Sequence, residues 1–334
     1  MAGITDIGYC RADFPALAEM VNGKPLAFLD TASSAQKPIV VTEKMREVMS
    51  HYYANIHRGL YHFSQVTTQE YESVRSKVAD FINANGPNEI IFTRNATESI
   101  NLVAQSWGNS NLKTGDEIIL SAMEHHANIV PWQLLRDRIG FTIRVVPVLS
   151  DGTLDLEVFE SLLTAKTKLV SIVHISNALG TINPVDRIVA KAKAYNPSIV
   201  VLVDGSQSIV HGKIDVQAIG CDFFTFTGHK LYGPTGSGVL WGREGFLNTM
   251  PPYQGGGDMI ETVSFEKTSY KPAPARFEAG TPSFVDVIGL GAAIDYIRTI
   301  GLDNIAAHES ALLGYMMREL ERIDGLSFYG TTQQ

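Results

Sequence analysis

Short β-rich runs alternate with helical patterns from Asn88 onward, and this order constrains the fold more than any other feature of the sequence. Several runs are apolar on both faces, as strands buried in a parallel sheet are. The runs are EIIFT at 89–93, DEIILSAM at 116–123, KLVSIVHI at 168–175, SIVVLVD at 198–204 and CDFFTFT at 221–227. We therefore predict an α/β fold whose mostly parallel sheet carries helices on its faces.

Helical periodicity predicts the elements around these strands. We expect two crossover helices at 97–107 and 183–195, and two earlier helices at 42–53 and 67–84. After Phe284 the pattern becomes helical again, with two helices in succession. We therefore expect helices both before and after the strands of the sheet along the chain.

A chain of 334 residues exceeds the size at which a single core usually stops growing, so we expect a second domain. The stretch GLSFYG is expected to begin the first strand of that domain, which is expected to be incomplete at Gln334. The predicted division is an N-terminal arm of the small domain at 1–20, a large domain with the sheet at 21–297 and the start of the C-terminal small domain at 298–334.

Charge and composition exclude several classes of function. The formal net charge is -8 and the sequence contains no block of Lys and Arg, so a nucleic-acid partner is not expected. No apolar run approaches the roughly 18 residues that span a bilayer, and the N-terminus has no secretion signal, so we expect a cytoplasmic protein without a membrane partner. The 2 cysteines argue against a disulfide framework. The spacing of His51, His57 and His62 fits no standard zinc pattern, and no metal is predicted.

The residues that follow the strands carry the chemical signal, because ligands of open α/β sheets bind outside the carboxyl ends of the strands. Thr97 begins a helix, where it either helps to bind a phosphate or simply caps the helix. His125 is either a hydrogen-bonded structural residue or a ring that stacks on a flat ligand. Asp204 ends an apolar strand, where a carboxylate is costly unless it meets a cation, from a ligand or from a neighbouring side chain. Asn177 and Gln207 add amides that can bind a ring substituent.

Lys230 follows the last of these strands in the stretch TFTGHKLYGPTG. A lysine that forms a Schiff base, a carboxylate facing a ring nitrogen, a phosphate cup and a stacking ring are together what a pyridoxal-phosphate site requires. GPTGSG is not a Walker A motif, since Val239 follows where Lys and Ser or Thr are needed, and no dinucleotide fingerprint opens the sheet. The sequence therefore predicts a site for pyridoxal 5'-phosphate.

The motifs, in order, resemble those of the cysteine desulfurases of the SufS type, within the class V aminotransferase family. They are FLDTASSAQKP, ANIHRGLYHFSQ, FTRNATESINLVAQSW, EHHANIVPWQ, HISNALGTINP, VLVDGSQS, FTGHKLYGPTGSGVLWG, PYQGGGDMI and RFEAGTP, and the likeness runs from about residue 28 to 329. EHHANIVPW and GHKLYGPTG favour the SufS branch over the IscS/NifS branch. The resemblance implies an aspartate aminotransferase type I fold with a seven-stranded sheet. It also implies conversion of L-cysteine to L-alanine, with the sulfur passed as a persulfide to a Suf acceptor protein for iron-sulfur cluster assembly.

The resemblance also implies a homodimer and gives roles by position. Lys230 would hold the cofactor aldehyde and act in catalysis, and His125 would stack on the ring. The loop at 255–258 would lie beside the subunit interface. The further implied contacts are Asp204 with the pyridine nitrogen, Asn177 and Gln207 with the phenolic oxygen, Ala96, Thr97, Thr227 and His229 with the phosphate, Thr281 with the phosphate of the other subunit, and His57 and Ala32 with the substrate.

One departure from the family pattern leaves alternatives open. In the family the cysteine that attacks the substrate sulfur and the arginine that binds its carboxylate lie in a C-terminal segment, which this sequence does not reach. Cys221 is expected to be a buried structural thiol about 20 Å from Lys230, and Cys10 lies in an arm that the sequence does not place. The alternatives are a selenocysteine lyase or another class V lyase, or a cofactor-binding fragment without catalytic activity.

Overall fold

A seven-stranded sheet forms the centre of the computed structural model, which describes residues 7–331. The strands are β1 Met20–Val21, β2 Lys24–Pro25, β3 Ile90–Thr93, β4 Glu117–Ser121, β5 Thr142–Val146, β6 Thr167–Val173, β7 Val200–Asp204, β8 Phe223–Thr227, β9 Gly238–Gly242, β10 Ile260–Val263 and β11 Thr268–Tyr270. Within the large sheet the order is β3-β9-β8-β7-β6-β4-β5, while β1 with β2 and β10 with β11 form separate two-stranded pairs.

The large sheet is parallel except around β9. Strands β5, β4, β6, β7 and β8 are parallel neighbours, and β9 is antiparallel to both β8 and β3. All five strands predicted from apolar runs are present, and each strand end lies within two residues of the predicted position. The predicted α/β class with a large, mostly parallel seven-stranded sheet is confirmed.

Helices cover both faces of this sheet. They are α1 Ile39–His51, α2 His62–Phe81, α3 Ala96–Val103, α4 Asn109–Asn111, α5 Val130–Ile139, α6 Leu156–Leu162, α7 Val185–Tyr195, α8 Ser208–His211, α9 Val216–Ile219, α10 Glu244–Thr249, α11 Phe284–Ile300 and α12 Leu302–Leu320. A π-helical turn at Ala104–Gly108 joins α3 to α4. None of the helices within 7–331 is both long enough and apolar enough to cross a bilayer.

Alternate side chains of the central strands supply two separate cores. Phe224 and Phe226 of β8 belong to the core on one face, while Phe223 belongs to the core on the other. This split follows from the two-residue period of a strand and explains why the central runs are apolar throughout. The sheet is therefore a rigid platform whose carboxyl edge holds the loops described below.

The C-terminal part differs from the sequence prediction in one element. Helix α11 packs on α1 and α2 and leads directly into α12, as the two successive helices expected after Phe284 require. The expected strand in GLSFYG is wrong for the described residues, because no strand pairing includes residues 325–330 and a strand needs a hydrogen-bonded neighbour. The division at 20 and 297 stays a prediction.

Candidate functional site

A cavity of about 430 Å³ opens at the carboxyl edge of the large sheet. It brings together all the site residues predicted from the sequence except His57 and Thr281. It also includes residues that were not predicted, of which Ser206 and Asn95 bear on the chemistry. The lining residues are Asp30, Ala32, Ser33, Asn95, Ala96, Thr97, His125, Ala127, Val173, Ile175, Asn177, Asp204, Ser206, Gln207, Thr227, His229 and Lys230.

Lys230 enters the cavity from a tight turn after β8. The turn is a short 3-10 helix at Gly228–Lys230, and the Gly228 N-H donates to the carbonyl of Ser237 at 2.7 Å. A Cβ at position 228 would lie 2.1 Å from the Ser237 hydroxyl oxygen, so only glycine permits this approach. Burial lowers the pKa of Lys230, and the charge of Asp204 acts in the opposite direction. The neutral, nucleophilic form of the amine is therefore favoured more than in a solvated lysine.

Asp204 ends the buried strand β7 and is only 3% exposed. Its Oδ1 accepts two hydrogen bonds from Ser206, one from the backbone N-H at 2.9 Å and one from the hydroxyl at 2.6 Å. The residue between them is Gly205, where a Cβ would lie 1.9 Å from the ring of Phe224. These contacts hold a carboxylate in a fixed position on the floor of the cavity, ready to face a cationic ligand atom.

A polar pocket suited to an anion lies at the start of α3. Asn95 caps this helix, because its Oδ1 accepts from the N-H of Glu98 at 2.9 Å; the alternative that Thr97 is the cap is wrong. Ala96 and Thr97 occupy the first turn, where the helix dipole favours negative charge. Thr227 pairs with Gly238, which lies against Asn95, and its buried hydroxyl has no hydrogen-bond partner. An unsatisfied buried hydroxyl is costly, and an anionic ligand here would satisfy it.

His125 lies at the end of the loop that follows β4. Its Nδ1 accepts a hydrogen bond from the backbone N-H of Ala127 at 3.1 Å. Burial lowers the pKa of His125, and the positive charge of Lys230 lowers it further. A neutral ring with Nδ1 as acceptor carries its proton on Nε2. The side chain therefore offers the cavity an uncharged aromatic ring with one N-H donor.

The segment at 30–37 closes one side of the cavity through backbone contacts. Gln207 donates from Nε2 to the carbonyl of Ala32 at 2.8 Å, and Ala35 donates from its N-H to the carbonyl of His229 at 3.1 Å. Lys37 donates to that same carbonyl at 2.9 Å, and burial lowers its pKa to about 8. Lys37 was not predicted, because a lysine that binds backbone carbonyls leaves no sequence motif.

His57, Thr281 and the two cysteines lie outside this cavity. The Nε2 of His57 is 3.0 Å from a carboxylate oxygen of Glu72, and its backbone is in the left-handed region at φ 70°. Thr281 lines a second cavity of about 290 Å³ together with Arg94, Glu98 and Tyr253. Cys10 and Cys221 are both buried, and burial raises the pKa of Cys221 to about 12. Cys221 is thus an inert thiol, as its expected structural role requires.

A buried ion pair supports the loop that carries Thr281. The Arg75 guanidinium donates to Oε1 of Glu278 at 2.7 Å and to Oε2 at 2.9 Å, and both side chains are almost fully buried. Glu278 also accepts from the backbone N-H of Phe92 at 2.7 Å and from the hydroxyl of Tyr71 at 3.2 Å. The pair ties α2, β3 and the RFEAGTP stretch together.

The cavity as a whole is suited to a flat, anionic ligand with an electrophilic carbon. The amine of Lys230 can act as a nucleophile toward such a carbon, and the carboxylate of Asp204 can face a cationic atom of the ligand. The helix start at Ala96 and the hydroxyl of Thr227 form the anion end.

Comparison with known proteins agrees with this description of the cavity. Residues 27–334 match the family model described as Aminotransferase class-V. A curated cysteine desulfurase from Enterobacter sp. (strain 638) is 54% identical over 321 residues, which make up 96% of this chain and 79% of that protein. An apo cysteine desulfurase from Thermococcus onnurineus NA1 superposes with a TM-score of 0.91 at 37% identity, covering 99% of this chain and 80% of that chain. A C-DES mutant with glycine covalently linked to its PLP cofactor superposes with a TM-score of 0.82 at 25% identity, covering 94% of this chain and 80% of that chain.

Proposed function

Because the chain belongs to the class V aminotransferase family, we infer that it is a pyridoxal-phosphate-dependent cysteine desulfurase, which converts L-cysteine to L-alanine and passes the sulfur on as a persulfide. The observation that carries this inference is the meeting of Lys230, Asp204 and His125 in one cavity of a chain that is 54% identical to a cysteine desulfurase. The enzyme is accordingly a transferase of sulfur.

The residues of the cavity fit pyridoxal phosphate. Lys230 would hold its aldehyde carbon, Asp204 its ring nitrogen and His125 its ring face, with Asn177 and Gln207 near the phenolic oxygen. The unpartnered hydroxyl of Thr227 is the observation that favours a bound phosphate, which Ala96, Thr97 and His229 would also contact. When bound, the cofactor supplies an electron sink for the bonds that break at the substrate Cα.

The protein groups then orient the substrate and move protons. Lys230 has an amine that burial shifts toward its neutral form, so it can take the proton from the substrate Cα and return one to it. Asp204, whose carboxylate Ser206 holds in place, would stabilise a proton on the ring nitrogen of the bound cofactor. His125 would lie against the ring face with a neutral imidazole. We assign the attack on sulfur to neither Cys10 nor Cys221, since both are buried outside the cavity. The attacking thiolate would come from another thiol, which forms the S–S bond of the persulfide while the C–S bond of the substrate breaks and its Cβ takes up a proton.

The finer assignments extend this proposal. EHHANIVPW and GHKLYGPTG favour the SufS type, whose sulfur acceptor is a protein of the Suf system in the cytoplasm. A homodimer would bring Thr281 to the phosphate of the partner site, and His57 with Ala32 would lie near the substrate. Thr281 does not line the Lys230 cavity of its own chain, which is consistent with a contribution to the cavity of a partner subunit.

The test compares the wild-type protein with Lys230→Ala after loading with pyridoxal phosphate. With L-cysteine and a reducing thiol, the wild type should form alanine and sulfide in equal amounts, and the variant should form neither. Alanine formation that is unchanged in Lys230→Ala would refute the assignment. Cofactor binding with product only from L-selenocysteine would favour the selenocysteine lyase, and binding without product from either substrate would favour the inactive alternative.

A further inference from the structure

The strands β4 and β6 separate before they reach the cavity. Their pairing runs from Glu117 opposite Thr167 to Ile119 opposite Val170, and it stops there although β4 continues to Ser121. On its other side β6 stays paired with β7 up to Val173, which lies opposite Asp204. No backbone ladder therefore joins β4 to β6 at the level of the cavity.

The buried side chain of Glu124 fills this gap. Its Oε1 accepts a hydrogen bond from the Ser121 hydroxyl at 2.5 Å and another from the Val173 N-H at 2.9 Å. Its Oε2 accepts from Nδ2 of Asn128 at 2.6 Å. The carboxyl group thus takes the place of the missing ladder and links the end of β4 to the end of β6.

Asn128 extends the same network beyond the gap. Its Oδ1 accepts from Nε1 of Trp132 at 3.0 Å and from the hydroxyl of Ser171 at 2.6 Å. Glu124, Asn128 and Ser171 are all buried, so each lost bond would leave a polar group without water to replace the partner. Both carboxyl oxygens of Glu124 accept hydrogen bonds from protein donors. Because the members of the network bind one another inside the protein, their positions are fixed.

Glu124 is also adjacent to the reacting groups without lining the cavity. It precedes His125 in the chain, and its partner Val173 lines the cavity beside Asp204. Burial raises the pKa of Glu124 to about 7, the charge of Asp204 acts in the same direction, and the three hydrogen bonds oppose the shift. A second carboxyl group therefore lies directly behind the cavity floor.

We propose that Glu124 is a positioning residue that holds His125 and the end of β6 in place where β4 and β6 separate. The proposal rests on the function proposed above, since it is the role of His125 that makes this placement matter. A displacement of about 1 Å at a reacting group costs on the order of 100-fold in rate. One buried side chain therefore controls the geometry of the cavity from behind it.

The experiment compares Glu124→Ala and Glu124→Gln with a control on the same strand. Glu117 is also shielded from solvent, and its carboxylate binds the half-exposed Arg144 and Thr164 at the amino end of β4, the end opposite the cavity. Glu117→Ala therefore reports what a lost buried carboxylate costs the fold alone. For each protein the melting temperature of the apoprotein, the Kd for pyridoxal phosphate, and kcat and KM for L-cysteine are measured.

We expect Glu124→Ala to raise the cofactor Kd and to lower kcat by about 10-fold or more, with KM nearly unchanged. Glu117→Ala should lower the melting temperature similarly but leave the Kd and kcat near wild type. Glu124→Gln keeps one acceptor oxygen for the Val173 N-H, so its Kd should lie between those of wild type and Glu124→Ala. If Glu124→Ala does not fold, the Kd of Glu124→Gln against Glu117→Gln decides the question.

Equal Kd and kcat in the Glu124 and Glu117 variants would overturn the proposal. Failure of the proposed function is recognised separately, because the cofactor Kd is measured without any substrate. If wild type forms no alanine while Glu124→Ala still loses cofactor affinity, the desulfurase assignment fails and the positioning role stands.

Discussion

Removal of Arg75 should destabilise the protein strongly, because it leaves the carboxylate of Glu278 buried without its cation. The side chains of Arg75 and Glu278 are 4% and 7% exposed. The substitution Arg75→Met keeps the aliphatic stem and removes the charge together with both bonds to Glu278, two bonds to Glu72 and one bond to the carbonyl of Ile90. The perturbation is therefore electrostatic, with little change in packing.

The structure sets the magnitude. Two charge-assisted hydrogen bonds join Arg75 to Glu278, and each contributes about 1.5–3 kcal/mol. Loss of one partner from a buried ion pair costs about 3–5 kcal/mol. The remaining donors to Glu278, the N-H of Phe92 and the hydroxyl of Tyr71, limit the loss to this range. We expect Arg75→Met to lower the free energy of unfolding by about 3–5 kcal/mol.

Urea unfolding of the apoprotein at neutral pH measures this loss. The matched control is Arg322→Met, which breaks a two-bond pair with Glu319 on the surface and should cost about 1 kcal/mol or less. The double variant Arg75→Met/Glu278→Gln should recover at least about 1 kcal/mol relative to the sum of the single changes. A loss of less than about 1 kcal/mol for Arg75→Met, equal to the surface control, would refute the reasoning.

Three further predictions concern the cavity and the sheet. Asp204→Ala should still bind the cofactor, but exchange of the substrate Cα proton should slow on the order of 100-fold, because no carboxylate would then stabilise the protonated ring nitrogen. NMR in deuterated water measures the exchange rate. An unchanged rate would contradict the role proposed for Asp204. Burial raises the pKa of Glu124 from its usual 4.5 to about 7, so its protonated form stabilises the fold most below pH 4.5, and this contribution is lost as the pH rises through 7. In unfolding experiments between pH 4.5 and 7, the wild type should therefore lose about 3 kcal/mol of stability relative to Glu124→Gln. Parallel pH profiles of the two proteins would contradict the assignment. Gly238→Ala would place a Cβ 2.5 Å from the Cα of Asn95 and should lower the stability of the protein by about 1–3 kcal/mol. The control Gly245→Ala, whose Cβ would have no atom within 4 Å, should not destabilise the protein. Equal melting temperatures of the two variants would count against the contact between Gly238 and Asn95.

Most strands of the sheet were predictable, and the exceptions have physical reasons. The five predicted runs are apolar because both of their faces are buried. Strand β5 lies at the edge of the sheet with Val145 half exposed, so its sequence TIRVV does not form an apolar run. Strand β9 follows a glycine-rich turn, and its pairing with β3 depends on residues far apart in the chain. Local patterns do not contain that information.

The residues of the cavity were predictable where they end or follow a strand and carry a chemically active group. Lys230, Asp204 and His125 met both conditions, and the structure brings them into one cavity, while their roles stay predictions. Lys37 and Ser206 did not, because they act through hydrogen bonds to a backbone carbonyl or to another side chain. Glu124 was overlooked for a related reason: its importance comes from the separation of two strands, which becomes visible only once their register is known.

The position of β9 has a consequence for how the protein is made. Ile90 pairs with Trp241 and Thr93 with Gly238, so β3 emerges from the ribosome long before its partner strand is synthesised. Pairings between such distant residues form slowly and leave the first strand edge open in the meantime. Because Asn95 at the start of α3 rests directly against Gly238, the anion end of the cavity takes shape only after β9 has joined. A nascent chain should therefore acquire its cofactor late, when most of the polypeptide has already been translated.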